Sequence, residues 1–231
     1  MQTLIKNGTL VTMDPRRSVV RADLLVEDGR ITRIGRSMPP SRRPRKVIDA
    51  TDFVVMPGLI QAHIHLCQTL FRNRADGLQL LDWLRQRIWP FEAAHDEKSM
   101  RASADLGIAE LLKGGTTALQ DMGTVHHYEQ AFEAAAASGI RMLGGKAMMD
   151  AGEGVPKRLK ETTRASVDES LALARAWHGS HGGRLTYAFC PRFVLSCTEE
   201  LMREVARVRR SIGARIHTHA SENPKECQVV R

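Results

Sequence analysis

His63-Ile64-His65 and His217-Thr218-His219-Ala220-Ser221-Glu222 are the segments of this 231-residue chain whose residue types and spacing bear most directly on chemistry. Residues i and i+2 of a strand point to the same side, so a His-x-His pair at a strand end directs two imidazoles to one point. The stretch 59–66, entered through Pro57-Gly58, reads as such a strand. His219 supplies a third ring nitrogen from a second strand over 214–219, and His217 shares its face one layer deeper, as a supporting or packing residue. Three imidazoles on a divalent cation leave a position for water, whose pKa the cation lowers toward neutrality. Glu222, three residues beyond His219, stands where a carboxylate can carry protons. The chemistry so read is hydrolysis at a metal centre.

These side chains need a scaffold that brings strand ends together. Residues 1–57 read as short strands: 3–12 around Asn7-Gly8, two runs within 23–34 separated by the hairpin signal Glu27-Asp28-Gly29, and a strand pair over 47–56 broken near Asp49–Asp52. They predict a small antiparallel sheet. From residue 58 the rhythm changes to strands alternating with helices. Strands are expected over 59–66, 116–122, 140–149, 184–190 and 214–219. Helices are expected over 98–113, 128–138, 166–178 and 199–212, with Gly114-Gly115 and Gly139 as stops and Thr198 as a cap. That alternation implies an α/β architecture with a parallel sheet and right-handed crossovers. A (β/α)8 barrel takes about 250 residues, so five strands in 58–231 are either an open sheet or the front part of a larger fold.

Composition narrows the function classes. Hydrophobic residues make up 42% and charged residues 26%, as in ordinary globular domains. No apolar run approaches the roughly 18 residues of a membrane span, and the amino terminus lacks a secretory pattern. Cys67, Cys190, Cys197 and Cys227 form no CxxC pair and read as reduced thiols of a cytoplasmic protein. The net charge of +8 gathers largely in residues 1–50, where Arg42, Arg43, Arg45 and Lys46 lie beside Pro39, Pro40 and Pro44. Without interleaved aromatics this reads as a solvated loop, and Arg203, Arg207, Arg209, Arg210 and Arg215 read as an exposed face, so neither nucleic acid nor membrane is an expected partner. No Pro-Cys-x-x-Cys accompanies a His-x-Glu, which excludes a cytidine-deaminase type of zinc site. His95, His178 and His181 read as surface residues, His126-His127 as helix-entry residues, and Cys67 and Cys190 as packing thiols.

The segment Pro57-Gly58-Leu59-Ile60-Gln61-Ala62-His63-Ile64-His65, taken with His219-Ala220-Ser221-Glu222, resembles the amidohydrolase superfamily, in its metal-dependent aminohydrolase and s-triazine hydrolase branch. His65-Leu66-Cys67-Gln68-Thr69-Leu70-Phe71-Arg72, Leu81-Asp82-Trp83-Leu84 and Ile88-Trp89-Pro90-Phe91-Glu92 resemble deaminases of 5′-deoxyadenosine, methylthioadenosine and S-adenosylhomocysteine. The resemblance covers essentially the whole chain. It implies a (β/α)8 TIM-barrel fold over 58–231, cut after its fifth strand, and part of a small β-sandwich over 1–57.

The resemblance also implies site roles. His63, His65 and His219 would bind one divalent metal, Zn2+ or Fe2+. Glu222 would move a proton to the purine ring nitrogen as water attacks the carbon bearing the amino group, giving the inosine analogue and ammonia. Glu92 falls where such enzymes hold ribose hydroxyls, Trp83 where the base pocket is walled, and Lys146, Arg158 and Arg192 near groups that contact the 5′ side or the base. The partner is then a small-molecule nucleoside or heterocyclic amine, with homo-oligomer formation left open. Guanine, cytosine or an s-triazine is the alternative substrate, and an inactive barrel fragment the alternative to an enzyme. The family pattern continues with a His on the sixth strand and an Asp on the eighth, neither of which lies in these 231 residues, so weakened metal binding and little turnover are expected of this chain.

Overall fold

A computed structural model describes residues 2–36, 38 and 46–230. Of the proline-rich basic loop only Lys46 falls among them; Arg42, Arg43 and Arg45 lie outside the described residues. Two compact units form, Met1–Gly58 and Leu59–Arg231.

In the first unit the strands β1 (Gln2–Val11), β2 (Val19–Glu27), β3 (Arg30–Gly35) and β4 (Lys46–Asp49) run in the order β3-β2-β1-β4, and β5 (Val54–Val55) also pairs with β1. The hairpin between β2 and β3 turns on Asp28 and Gly29, both at positive φ (46° and 78°), which the twist of paired strands favours. Asn7-Gly8 is a bulge inside β1: Asn7 sits at φ 62° and its N–H donates to the buried Asp23 carboxylate at 2.9 Å. The sheet is not purely antiparallel as expected, because β4 and β5 both pair parallel to β1. A hairpin signal encodes the β2–β3 turn and not the direction in which β4 and β5 lie beside β1.

The second unit is a parallel sheet ordered β11-β10-β8-β7-β6, with helices in the connections. Its strands are β6 (Leu59–Ile64), β7 (Thr116–Met122), β8 (Arg141–Gly145), β9 (Ala147–Met148, paired with β10), β10 (Leu185–Pro191) and β11 (Arg215–Ile216). The helical elements are α1 (Leu80–Trp83), α2 (Trp89–Ala93), α3 (Glu97–Lys113), α4 (Glu129–Ser138), α5 (Thr163–Trp177), the single turn α6 (Ser180–Gly183), α7 (Glu199–Ile212) and α8 (Pro224–Val230).

Caps explain the helix boundaries. Asp96 and Ser99 form a reciprocal capping box on α3, Thr198 Oγ1 accepts from Leu201 N to start α7, and Gly139 and Gly213 end α4 and α7 at positive φ. Thr162 caps α5 through Ala165 N, so that helix begins three residues before the expected 166. Between α1 and α2 the backbone makes a π turn over Leu84–Ile88. Pro90 has no N–H to continue the regular ladder, and Trp89 N–H bonds Leu84 O instead.

A core built from Met100, Ile108, Phe132, Met142, Leu185, Phe189, Leu201 and Val205 packs the helices on the sheet. Among the described residues β6 and β11 each pair on one side only, and Ile60 on β6 is 74% exposed. Each of these two strands therefore leaves one edge open among the described residues. The fifth strand is shorter than expected: β11 ends at Ile216, although His217 N–H still bonds Phe189 O (2.9 Å) and His219 N–H bonds Arg192 O (3.0 Å).

Candidate metal centre

The carboxyl ends of β6 and β11 bring His63, His65 and His219 together. His219 Nε2 lies 3.3 Å from His63 Nε2 and 3.3 Å from His65 Nε2, and the ligand atoms of the three all fall within 4.8 Å of one another. Zinc–nitrogen bonds of 2.0–2.1 Å in a tetrahedron place two ligand nitrogens roughly 3.3 Å apart, so the spacing fits a single such cation. Ring orientation fits as well. The Nδ1 of His65 faces Met122 O at 2.7 Å and that of His219 faces Arg192 O at 2.8 Å. A carbonyl only accepts, so both rings carry their proton on Nδ1 and leave Nε2 free to ligate. Burial lowers the pKa of all three rings, that of His65 well below its usual value, which favours the neutral, ligating form.

A pocket of about 170 Å3 opens on these nitrogens and is walled by Leu80, Trp83, Leu84, Arg192, Phe193 and Glu222. The turn at Ser221 (φ 58°) carries Glu222 into it. Buried Glu226 on α8 holds that turn by accepting from Ser221 N (3.2 Å) and Glu222 N (2.8 Å). Burial, then the nearby Glu226 charge, raises the Glu222 carboxyl above its ordinary pKa. Glu226 went unmarked in the sequence because only the positive-φ turn makes a carboxylate five residues away a backbone cap.

A family model for the amidohydrolase family matches residues 54–231. The chain belongs to the amidohydrolase family. It is 33% identical over 229 residues to the 5′-deoxyadenosine deaminase of Methanosarcina acetivorans, covering 99% of this chain and 51% of that protein. It is 32% identical over 231 residues to a 5-methylthioadenosine/S-adenosylhomocysteine deaminase of Pelotomaculum thermopropionicum, covering 99% and 51%. Guanine deaminase of E. coli superposes with a TM-score of 0.85 at 30% identity, over 97% of this chain and 55% of that one. The chain thus spans about half the length of the curated relatives it matches.

Other anticipated contacts fall differently. Trp83 and Arg192 line the pocket. Glu92 does not: it is buried behind the wall, accepting from Arg192 Nη1 and Nη2 (2.5 and 3.1 Å) and from Gln68 Nε2 (2.9 Å). Lys146 is also away from the pocket, its fully buried ammonium between Glu161 and Glu169. Charge compensation takes it there, because a buried ammonium needs carboxylates close by. Arg158 is an exposed residue of the 3-10 turn Lys157–Leu159, and its carbonyl is 2.6 Å from His126 Nε2. His126, Glu161 and Glu169 have metal-compatible spacing, but the Lys146 ammonium already bonds both carboxylates. His95 is buried rather than on the surface, bridging Cys67 O (2.8 Å) and Ser99 Oγ (3.0 Å), and His178 Nδ1 accepts from Tyr187 N at 3.1 Å. Cys67 and Cys190 are buried and their thiol pKa values are raised by burial, as packing thiols require.

Asp121, at the end of β7, was not anticipated. Fully buried, it accepts from Leu66 N and pairs with Tyr128 OH, both at 2.7 Å, and thereby anchors the turn just after His65. Burial raises its pKa to about 7. An acid protonated in the fold but ionised when unfolded loses stability as pH rises from about 4 to 7. Asp121→Asn removes that contribution. Urea unfolding of both proteins between pH 4.5 and 8 is therefore expected to show their stability difference shifting in favour of the variant as pH rises, by at most about 1.4 kcal/mol per pH unit. A pH-independent difference would refute the raised pKa. Histidines that titrate in the same range are common to both proteins and cancel.

Proposed function

We propose that this site holds one divalent cation, zinc, on His63, His65 and His219 and serves hydrolytic deamination of an adenosine analogue of the 5′-deoxyadenosine, methylthioadenosine or S-adenosylhomocysteine type. The observation that carries the reading is the approach of His63 Nε2 and His65 Nε2 to His219 Nε2, each at 3.3 Å, beside a pocket that also contains Glu222. When bound, such a cation acts as a Lewis acid and lowers the pKa of water toward neutrality. Glu222 is the proton carrier: its raised pKa keeps it nearer to exchanging a proton at neutral pH than an exposed carboxylate. Trp83 and Phe193 give the base apolar walls, and Leu80 and Leu84 exclude water. Arg192 offers the pocket a cation whose guanidinium plane Glu92 fixes. The amidohydrolase match and the deaminase names of the two relatives support the reaction class. Four free cysteines, three of them buried, support a cytoplasmic setting.

One observation favours a second reading. Both Glu92 oxygens are occupied, so the carboxylate expected at ribose hydroxyls is not presented to a ligand, and a free heterocyclic amine such as guanine meets the same pocket without needing it. Zinc content of the purified chain, with calorimetric titration of the zinc-loaded chain by 5′-deoxyadenosine, methylthioadenosine and guanine and an ammonia assay on each, tests both readings. One zinc per chain with nucleoside binding supports the first. Guanine binding alone supports the second, and an absence of zinc uptake refutes the metal site.

A further inference from the structure

Of the three candidate ligands, His63 is the one whose second ring nitrogen has no carbonyl partner. Its Nδ1 lies 3.1 Å from Nε2 of His217. His217 is fixed by its main-chain bond to Phe189 O on β10 (2.9 Å), and its ring stands edge-on to that of His63 with centroids 5.1 Å apart at 90°. Nε2 of His217 therefore faces the far side of the His63 ring and not the point where the other imidazoles meet. An imidazole nitrogen both donates and accepts according to tautomer. If His217 donated here, the proton of neutral His63 would sit on Nε2 and occupy the lone pair a cation needs.

We infer that His217 is a positioning residue for the candidate metal centre, its Nε2 accepting the Nδ1–H of His63 so that His63 Nε2 is unprotonated and turned toward His65 and His219. The inference rests on the metal reading above. It assigns to a side chain the task that the carbonyls of Met122 and Arg192 perform for the other two ligands. It also fixes the His217 tautomer: the proton resides on Nδ1, a buried atom without a hydrogen-bond partner among the described residues. Outer partners of this kind tune metal affinity by roughly 10–100-fold.

The test uses zinc titration of the 231-residue chain against a chromophoric chelator, with His217→Ala, His217→Gln and His63→Ala. Loss of the acceptor in His217→Ala is expected to weaken zinc binding roughly 10–100-fold. His217→Gln, whose side-chain oxygen can accept from His63, is expected to recover most of the loss. An unchanged affinity in His217→Ala overturns the inference and leaves the metal reading standing, as does an equal loss in both His217 variants. No zinc uptake by the unsubstituted chain overturns the metal reading and the inference with it. Two-bond proton–nitrogen spectra of the zinc-loaded unsubstituted chain answer the same question without depending on a variant's folding. His63 and His217 are expected as Nδ1–H tautomers, and an Nε2–H signature on His63 overturns the assignment.

Discussion

His219→Ala is expected to remove zinc binding from this chain, with an affinity loss greater than the roughly 100-fold that outer-partner changes produce. His219 is the imidazole whose Nε2 is close to both others, so its loss leaves a two-nitrogen site on β6 and the residue following it. Folding should survive. The Arg192 carbonyl that accepts from His219 Nδ1 also accepts from the His219 main-chain N–H, which alanine retains. Thermal denaturation with and without zinc separates the two effects. At a free zinc concentration 100 times Kd the unsubstituted chain gains about 2.7 kcal/mol, or roughly 5–10 °C at this chain length. The variant should unfold at the same temperature with and without zinc, near the zinc-free temperature of the unsubstituted chain. A zinc-dependent rise in the variant as large as in the parent would show that the cation binds elsewhere.

The meeting of His63, His65 and His219 was legible because it depends on local rules. A His-x-His at a strand end needs only the two-residue period of a strand, and parallel strands carry their ends to one edge, so His219 follows from counting strands. Helix positions were legible for the same reason: Thr198, Gly114 and Gly139 satisfy or relax backbone groups within a few residues of themselves. What the sequence concealed is long-range charge pairing. Lys146 just after β8, Glu161 before α5 and Glu169 within α5 compensate one another, and nothing in their spacing distinguishes that pairing around a buried ammonium from three solvated residues. Asp121 is likewise one acid in a strand until Leu66 N and Tyr128 OH converge on it. The β11 strand fell short of its expected length because the bond from His219 N–H runs to Arg192 O, beyond the end of β10, as the chain turns toward Ser221.

The buried Glu92–Arg192 pair carries the second large effect. Its members are separated by 100 positions, yet the Arg192 side chain is only 3% exposed and that of Glu92 not at all. Burial disfavours the guanidinium charge, and Glu92 beside it more than offsets this, so the Arg192 pKa ends above its ordinary value. Glu92→Leu would leave that charge without its counter-ion and the Gln68 amide without its acceptor, at an expected cost of about 3–5 kcal/mol. The double variant Glu92→Leu/Arg192→Met removes both charges together and should recover most of that stability, since similarly shaped apolar pairs often replace buried ion pairs without net loss. Urea unfolding of the parent, both single variants and the double closes the cycle. If the double variant is as unstable as Glu92→Leu, the cost lies in packing and not in an uncompensated charge. The double variant also has a use beyond stability, because Arg192 is the cation that reaches the pocket beside Trp83 and Glu222. A folded chain that keeps its zinc affinity but loses affinity for the base would assign Arg192 to ligand recognition and Glu92 to holding it there. A chain that binds the base as before would leave the pair a purely structural tie between the end of α2 and the segment after β10.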